Sequence, residues 1–204
     1  IQSSGGAGKV LADWIIDGHP PMDLWDVDIR RVMPFQRNAS YLHDRTVESL
    51  GLLYAMHWPF FQPTTARGVR RSALHDRLAA RGACFGEVAG WERTNWFAPD
   101  GVKAEYEYTY GKQNWFPYSA VEHHAVRNAV GVFEQSSFGK FQVEGPDAEA
   151  VLNRICANDV AKPVGSLTYT QMLDDRGGIQ CDLTVARVGA HEYYLVTGTG
   201  YATH

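Results

Sequence analysis

The chain has 204 residues, of which 45% are hydrophobic and 12% aromatic, enough apolar material for a compact fold of one or two domains. Nineteen lysines and arginines against 23 aspartates and glutamates give a formal net charge of −4. Because nucleic-acid-binding modules carry a basic surface, this balance argues against nucleic acid as a partner. No segment approaches the ~18 consecutive apolar residues of a membrane span, so the sequence indicates a soluble globular protein without a membrane partner.

The sequence offers little support for a metal site or for disulfides. The chain contains three cysteines, Cys84, Cys156 and Cys181. Their odd number and irregular spacing predict neither a disulfide framework nor a zinc site, and a reducing compartment is the default. His123 and His124 are adjacent, about 100° apart on a helix, so they do not form the i, i+4 pair of a zinc enzyme, and we expect no metal. The start at Ile1 rather than Met and the end after an apparent strand lead us to expect a fragment.

Helical spacing dominates the first part of the chain. It predicts helices over residues 8–21, 41–56 and 72–82, the last with Ser72 as its N-cap. Gly5, Gly6 and Gly8 lie at the start of the first helix, where a glycine loop allows a ligand to approach the helix N-terminus, although such loops are more often plain turns. Alternating residues predict a strand over 83–91 and a β-ribbon over 102–110.

The second part of the chain is richer in strands. Ser119 and Glu122 have capping-box spacing and Gly131 fits a helix end, which predicts a helix over 119–131. Residues 145–159 form a second predicted helix, with Pro146 in its first turn. We expect its buried side to contain Ala150, Val151, Leu152 and Ile155. Strands are predicted over 140–145, 167–173, 179–188 and 191–198, where DDRGG joins the middle pair into a hairpin. The predicted class is α+β.

The hairpin carries the chemistry that the sequence can argue for. Alternation places Asp182 opposite the apolar positions of its strand, which include Cys181, a cysteine we therefore expect to be buried and inert. With a loop of two or four residues, Tyr169 shares the sheet face of Asp182, whereas a three-residue loop separates them. As cross-strand neighbours, a phenol and a carboxylate can together contact one polar ligand group. On alternation alone, the simpler interpretation is that Asp182 only faces solvent.

Other candidate sites are weaker. Arg67, Arg70 and Arg71 either receive an anionic group or, more simply, belong to an exposed basic connector. The sequence has no G-x-S-x-G motif, Walker loop or strand-borne G-x-G-x-x-G motif, which removes several classes of enzyme.

Several segments together resemble the flavin-dependent dimethylglycine and sarcosine dehydrogenase family, whose chains end in a folate-binding module similar to the glycine cleavage T-protein. GGAGKVLADWIIDG and MDLWDVDIRR resemble the end of its flavin domain, and TARGVRRSALHDRLAARGACFGEVAGWERTNWFAP resembles its middle domain. EHHAVRNAVGVFEQSSFGKFQVEGPDAEAVLNRI and LTYTQMLDDRGGIQCDLTVARV resemble the T-protein-like module. The resemblance implies three domains: residues 1–30 as the end of the FAD-dependent domain, 31–114 as the middle domain and 115–204 as the start of the folate-binding module.

The resemblance also implies a chemistry. The family oxidises an N-methyl group with FAD and passes the one-carbon unit to tetrahydrofolate. Asp182 falls at the catalytic aspartate, and Tyr169 would hold the pterin of folate. Gly5, Gly6 and Gly8 become candidate FAD contacts. The implied partners are a methylated amine, folate and an electron-transfer protein, in the bacterial cytoplasm or the mitochondrial matrix.

This sequence departs from the family pattern at two points. Glu134 stands where the family usually has aspartate, and its longer side chain can shift a hydrogen bond at that turn. The fold that would hold FAD is absent, so we do not expect this chain alone to oxidise a substrate. Two other functions remain open: a folate-dependent aminomethyltransferase without a flavin partner, and a binding protein that keeps the fold without the chemistry.

Overall fold

The computed structural model describes residues 2–203 and contains five α-helices and six strands within them. In chain order they are α1 (Ser4–Asp17), α2 (Ala39–Leu52), α3 (His75–Ala79), β1 (Ala83–Val88), β2 (Trp91–Phe97), α4 (Phe116–Asn128), β3 (Gly139–Glu144), α5 (Ala148–Ile155), β4 (Leu167–Leu173), β5 (Ile179–Gly189) and β6 (Glu192–Thr197). No helix in this part of the chain has the length and apolar content needed to cross a membrane. The mixture of helices and antiparallel sheets confirms the predicted α+β class.

The C-terminal part is a four-stranded antiparallel sheet in the order β3-β6-β5-β4. One face packs against α5, because alternate residues of β5 and β6 are apolar and point to the same side. Its buried centre combines Leu183, Val185, Tyr193 and Leu195 of the sheet with Leu152 of the helix. All four strands predicted for this region are therefore confirmed, each to within one residue at either end.

Helix α5 is shorter than its sequence pattern predicts. It begins at Ala148, so Pro146 precedes the helix instead of occupying its first turn. Ala148 and Leu152 are its buried residues, whereas Val151 is 51% exposed. Residues four apart share a helix face, and the buried stripe therefore continues from these two to the region of Ile155 and Cys156. The expected burial of Ala150 and Val151 was wrong.

A two-stranded hairpin, β1 with β2, forms the second small core. Trp96, 1% exposed, packs there with Cys84 and Ala98. The predicted strand over 83–91 is thus β1 followed by a turn at Ala89 and Gly90, and its last residue, Trp91, begins β2, a strand that was not predicted. Both turn residues have positive φ, 50° and 80°, as in the two-residue turns that suit the twist of a hairpin.

Residues 102–110 do not form the predicted β-ribbon. Their alternating tyrosines pack into an aromatic group instead, in which Tyr106 stacks on Tyr108 at 5.8 Å and Tyr108 lies 5.6 Å from Phe61. Asn114 Nδ2 donates to the carbonyl of Glu105 at 2.9 Å and supports the irregular backbone. Period-2 alternation therefore reflects aromatic packing at this position and not strand pairing.

Helix α4 begins at Phe116, three residues before the predicted start. Ser119 lies inside the helix and caps nothing, so the capping box with Glu122 is wrong. Pro117 in the first turn suits this earlier start, and Tyr118 is anchored by stacking on Trp96 at 5.6 Å. The helix ends at Asn128, and Gly131 does not have the positive φ of a helix-ending glycine.

The N-terminal helices follow the predicted pattern with changed bounds. Helix α1 begins at Ser4, so Gly5, Gly6 and Gly8 lie inside it and do not form a loop before it. Helix α2 starts at Ala39, where Asn38 accepts the backbone N–H groups of Ser40 and Tyr41. The third helix is a single turn. Its N-cap is Leu74, and the predicted cap, Ser72, only accepts the N–H of Leu74 at 3.2 Å.

The basic connector is engaged in packing and is not an exposed linker. Arg67 donates from Nε to Glu92 at 2.8 Å and from its terminal nitrogens to the carbonyls of Pro63 and Phe85. Arg70 lies 4.4 Å above the ring of Trp91. Arg71 alone is exposed. Arg67 and Arg70 therefore hold the connector on the β1-β2 hairpin and leave no free anion site.

Glu48 of α2 fixes the start of this connector. Its carboxylate accepts the backbone N–H of Thr64 at 2.6 Å and of Thr65 at 3.2 Å, and both hydroxyls also donate to it. Burial alone raises the pKa of Glu48, but these hydrogen bonds outweigh it and lower the pKa from 4.5 to about 2. Because the folded state prefers the ionised form, this carboxylate stabilises the fold above pH 4.5.

We expect Glu48→Gln to lower the free energy of unfolding at pH 7 by about 2 kcal/mol, since the variant accepts fewer charge-assisted hydrogen bonds. The difference from the unmodified chain should shrink as the pH falls from 4.5 towards 2, where the native carboxylate protonates. Urea unfolding at several pH values measures both quantities. A difference that stays constant across this range would contradict the assigned role.

The turn glycine Gly90 has both a positive φ and a close neighbour. A Cβ there would lie 2.4 Å from the ring of Phe35, whereas Gly101, with a φ of 82°, has nothing within 4 Å of its Cβ position. The left-handed conformation costs each alanine variant about 1–2 kcal/mol. We expect Gly90→Ala to destabilise the chain clearly more than Gly101→Ala in urea unfolding, and equal losses would exclude a role for the Phe35 contact.

Candidate functional site

Asp182 lies on the sheet face that points away from α5. Leu183 and Val185, its neighbours in β5, are buried against that helix, while Asp182 is half-buried on the other side. On β4, Gln171 pairs directly with Asp182, and Tyr169 pairs with Thr184. Tyr169 is therefore the diagonal neighbour of Asp182 on the same face, although the hairpin loop has neither of the lengths that predicted this.

A β-bulge produces this arrangement. The loop between Leu173 and Ile179 has five residues, an odd number, which by itself would place Tyr169 and Asp182 on opposite faces. The register shifts by one residue after the pair of Leu173 with Ile179, so that Gln180 is left over and Cys181 pairs with Met172. The extra residue restores the shared face. It also leaves Ile179 68% exposed, off the apolar face that the alternation predicted for it.

The two side chains contact each other. The hydroxyl of Tyr169 donates to Asp182 Oδ2 at 3.1 Å. In the part of the chain that the structure describes, the second carboxylate oxygen, Oδ1, has no hydrogen-bond partner. The backbone carbonyl of Asp182 accepts the hydroxyl of buried Thr197 at 2.7 Å, which ties β5 to β6 at this point. The site thus presents one oriented carboxylate oxygen towards solvent.

The rest of this face was not predicted from the sequence. Strand β6 pairs Val196 with Thr184 and Tyr194 with Ala186, and Tyr194 is 40% exposed beside this carboxylate-bearing strand. The alternation in residues 191–198, HEYYLVTG, already indicated that Tyr194 and Val196 lie on one face of their strand, since both have even numbers. Only the pairing of β6 with β5 shows that they extend the face of Asp182.

The remaining predicted residues lie elsewhere. Gly5, Gly6 and Gly8 face open space in α1, with no atom within 4 Å of any added Cβ, and their role as FAD contacts stays a prediction. Glu134 accepts the N–H of Ser136 at 3.0 Å, so the longer acid still makes a hydrogen bond at its turn. Burial raises the pKa of the Cys181 thiol, as expected for an unreactive cysteine.

Comparison with known proteins identifies the family. Residues 74–204 match the model of the GCVT N-terminal domain, and residues 17–72 match that of the FAD dependent oxidoreductase central domain. The first match covers more than half of the chain, which therefore belongs to the GCVT N-terminal domain family. The predicted resemblance is confirmed, while the domain boundaries at residues 30 and 114 stay predictions.

Curated relatives match this sequence over nearly its whole length. A 4-methylaminobutanoate oxidase (formaldehyde-forming) of Paenarthrobacter nicotinovorans is 47% identical over 94% of this chain and 23% of its own length. A pyruvate dehydrogenase phosphatase regulatory subunit of Mus musculus is 34% identical over 100% of this chain and 24% of its own. The mitochondrial sarcosine dehydrogenase of the same animal is 34% identical over 98% and 26%. The chain thus spans about a quarter of the length of these relatives.

We expect Tyr169→Phe and Asp182→Asn each to change the free energy of unfolding by less than about 0.5 kcal/mol, because their hydrogen bond lies at the surface. Thr197→Val, which removes the buried hydroxyl bonded to the Asp182 carbonyl, should cost about 1 kcal/mol or more. Thermal unfolding of the three variants tests this order. A large loss in Asp182→Asn would make the carboxylate a structural group.

Proposed function

We propose that this chain is the folate-facing part of a flavin-dependent oxidoreductase that demethylates an N-methylated amino acid, of the sarcosine or dimethylglycine type. The observation that carries the proposal is the Tyr169–Asp182 hydrogen bond on an exposed sheet face. Membership of the GCVT N-terminal domain family and the adjoining match to an FAD dependent oxidoreductase domain support it. We propose the bacterial cytoplasm or the mitochondrial matrix as its location, and an electron-transfer protein as a possible further partner.

The residues fit a folate amine. Tetrahydrofolate supplies the nucleophilic nitrogens that take up the one-carbon unit. The free Oδ1 of Asp182 accepts the proton that the attacking nitrogen loses, and the hydroxyl of Tyr169 keeps the carboxylate oriented through Oδ2. Overall, the iminium ion and tetrahydrofolate react to give methylenetetrahydrofolate, the demethylated amine and one proton. Tyr194, exposed on the same face, offers a flat apolar surface to the pterin.

The described residues contain no dinucleotide-binding unit. All strands between residues 2 and 203 belong to two antiparallel sheets, without the βαβ unit that binds dinucleotides. Because the chain spans about a quarter of its relatives, we propose that the oxidation takes place in another part of the protein. The glycines Gly5, Gly6 and Gly8 remain candidate contacts to FAD.

Two observations bear on competing functions. The oxidoreductase match over residues 17–72 argues against an aminomethyltransferase without a flavin partner. The regulatory-subunit relative, aligned over the entire chain, favours a second candidate, a non-catalytic protein on the same fold. The name of the oxidase relative states that it forms formaldehyde, so the fate of the one-carbon unit, held by folate or released, must be tested directly.

The first test is an anaerobic calorimetric titration of tetrahydrofolate into this chain and into Asp182→Asn. We expect the affinity of the variant for tetrahydrofolate to be about tenfold lower, since a charge-assisted hydrogen bond is lost. Asp175→Asn, in the exposed loop of the same hairpin, is the matched control and should bind normally. Equal affinity in all three proteins would remove Asp182 from the site, and absence of binding would favour the non-catalytic candidate.

A further inference from the structure

A cavity opens beside the small β1-β2 hairpin. Its volume is about 560 Å³, and it lies between β2, α4 and the segment that leads into β3. Cavities of this size hold small organic ligands. Aromatic side chains make up much of the wall, among them buried Trp96, the exposed ring of Phe133 and Phe138. The cavity therefore offers an apolar environment suited to a flat ring.

One arginine in this wall has no counter-charge. Arg93 of β2 is half-buried, and its guanidinium lies 5.4 Å from the ring centroid of Phe138. Among the residues that the structure describes, no carboxylate, carbonyl or hydroxyl accepts a hydrogen bond from it. Arg67, on the same hairpin, instead pairs with Glu92 and two carbonyls. Since a guanidinium has five donors to satisfy, Arg93 is suited to receive a planar anion.

Two acidic side chains, Glu122 and Glu134, also line the cavity, and among the described residues neither forms an ion pair with Arg93. Glu134 accepts the N–H of Ser136. Glu122 lies on the α4 side, and burial raises the pKa of its carboxyl group. The hydroxyl of Thr94, another residue of the cavity wall, is buried without a hydrogen-bond partner in the described residues.

The cavity lies close to the Asp182 face. Phe138 directly precedes β3, whose first residue, Gly139, pairs with Thr197, and Thr197 pairs with Leu183. Phe138 and Asp182 each lie one residue before this row of paired residues. Their strands, β3 and β5, are separated by two strand spacings, about 10 Å. One elongated molecule can therefore contact Asp182 with one end and Arg93 with the other.

We propose that Arg93 binds the carboxylate of an aromatic acid whose ring lies on Phe138 and Phe133. Under the proposed function, on which this choice of ligand rests, that acid is the 4-aminobenzoyl-glutamate end of folate, while its pterin end contacts Asp182. The acid also exists as a free molecule without a pterin. The cavity can therefore be probed separately from the catalytic face.

The experiment is a calorimetric titration of 4-aminobenzoyl-glutamate into this chain and into Arg93→Gln, Asp182→Asn and Arg154→Gln. Arg154 is exposed on α5 and serves as the matched arginine control. We expect affinity to fall at least about tenfold in Arg93→Gln, because the charge-assisted hydrogen bonds are lost, and to stay unchanged in the other two variants. 4-Aminobenzamide, which lacks the carboxylates, should bind the unmodified chain and Arg93→Gln equally.

The outcomes separate the two proposals. Absence of fragment binding, or equal binding by Arg93→Gln and the unmodified chain, overturns the Arg93 site whatever tetrahydrofolate does. Fragment binding that depends on Arg93, in a chain that does not bind tetrahydrofolate, supports the site and overturns the proposed function. Circular dichroism of Arg93→Gln should match the unmodified chain, since the side chain makes no hydrogen bond whose loss would unfold the hairpin.

Discussion

The packing of one sheet face against α5 is the constraint on which the rest of the C-terminal half depends. Tyr193 is fully buried there and Leu152 is 2% exposed, and each such side chain contributes roughly 1.5–3 kcal/mol through burial. Because a strand alternates between its two faces, this burial leaves Asp182 no position except the opposite face. The apolar core thus sets the direction of a carboxylate that takes no part in it.

The geometry of the opposite face depends on three strands that are held in register. A bulge at Gln180 aligns Tyr169 with Asp182 across β4 and β5, and the hydroxyl of Thr197 links β6 to the Asp182 carbonyl. The bulge costs little stability on the exposed face, since the hydrogen bonds between β4 and β5 continue on both sides of it. A folate amine would therefore meet groups that are already in position, which reduces the entropy lost on binding.

The arginines of the fold separate into two groups with different roles. Arg67 and Arg45 pair with Glu92 and Glu87, and these partly buried ion pairs hold the connector and α2 on the small hairpin. Arg93, in the same hairpin as Glu92, lacks such a partner and faces a cavity. A half-buried charge is costly unless a hydrogen-bond partner or a counter-charge compensates it. The paired guanidinium groups of Arg67 and Arg45 thus have a structural role, whereas the unpaired guanidinium group of Arg93 is the basis of the proposed binding site.

By itself, the sequence determined the α+β class and the four strands of the C-terminal sheet, because period-2 alternation and turn residues act locally. It named Tyr169 and Asp182 as candidate site residues but left their shared face dependent on the loop length. It gave wrong positions for the cap of α4 and a wrong ribbon over 102–110, where packing on Trp96 and between tyrosines overrides local propensity. Only the tertiary structure decided the bulge, the addition of Tyr194 to the face and the isolation of Arg93. Each of these depends on which strand or ring lies opposite, and residues distant in the chain decide that.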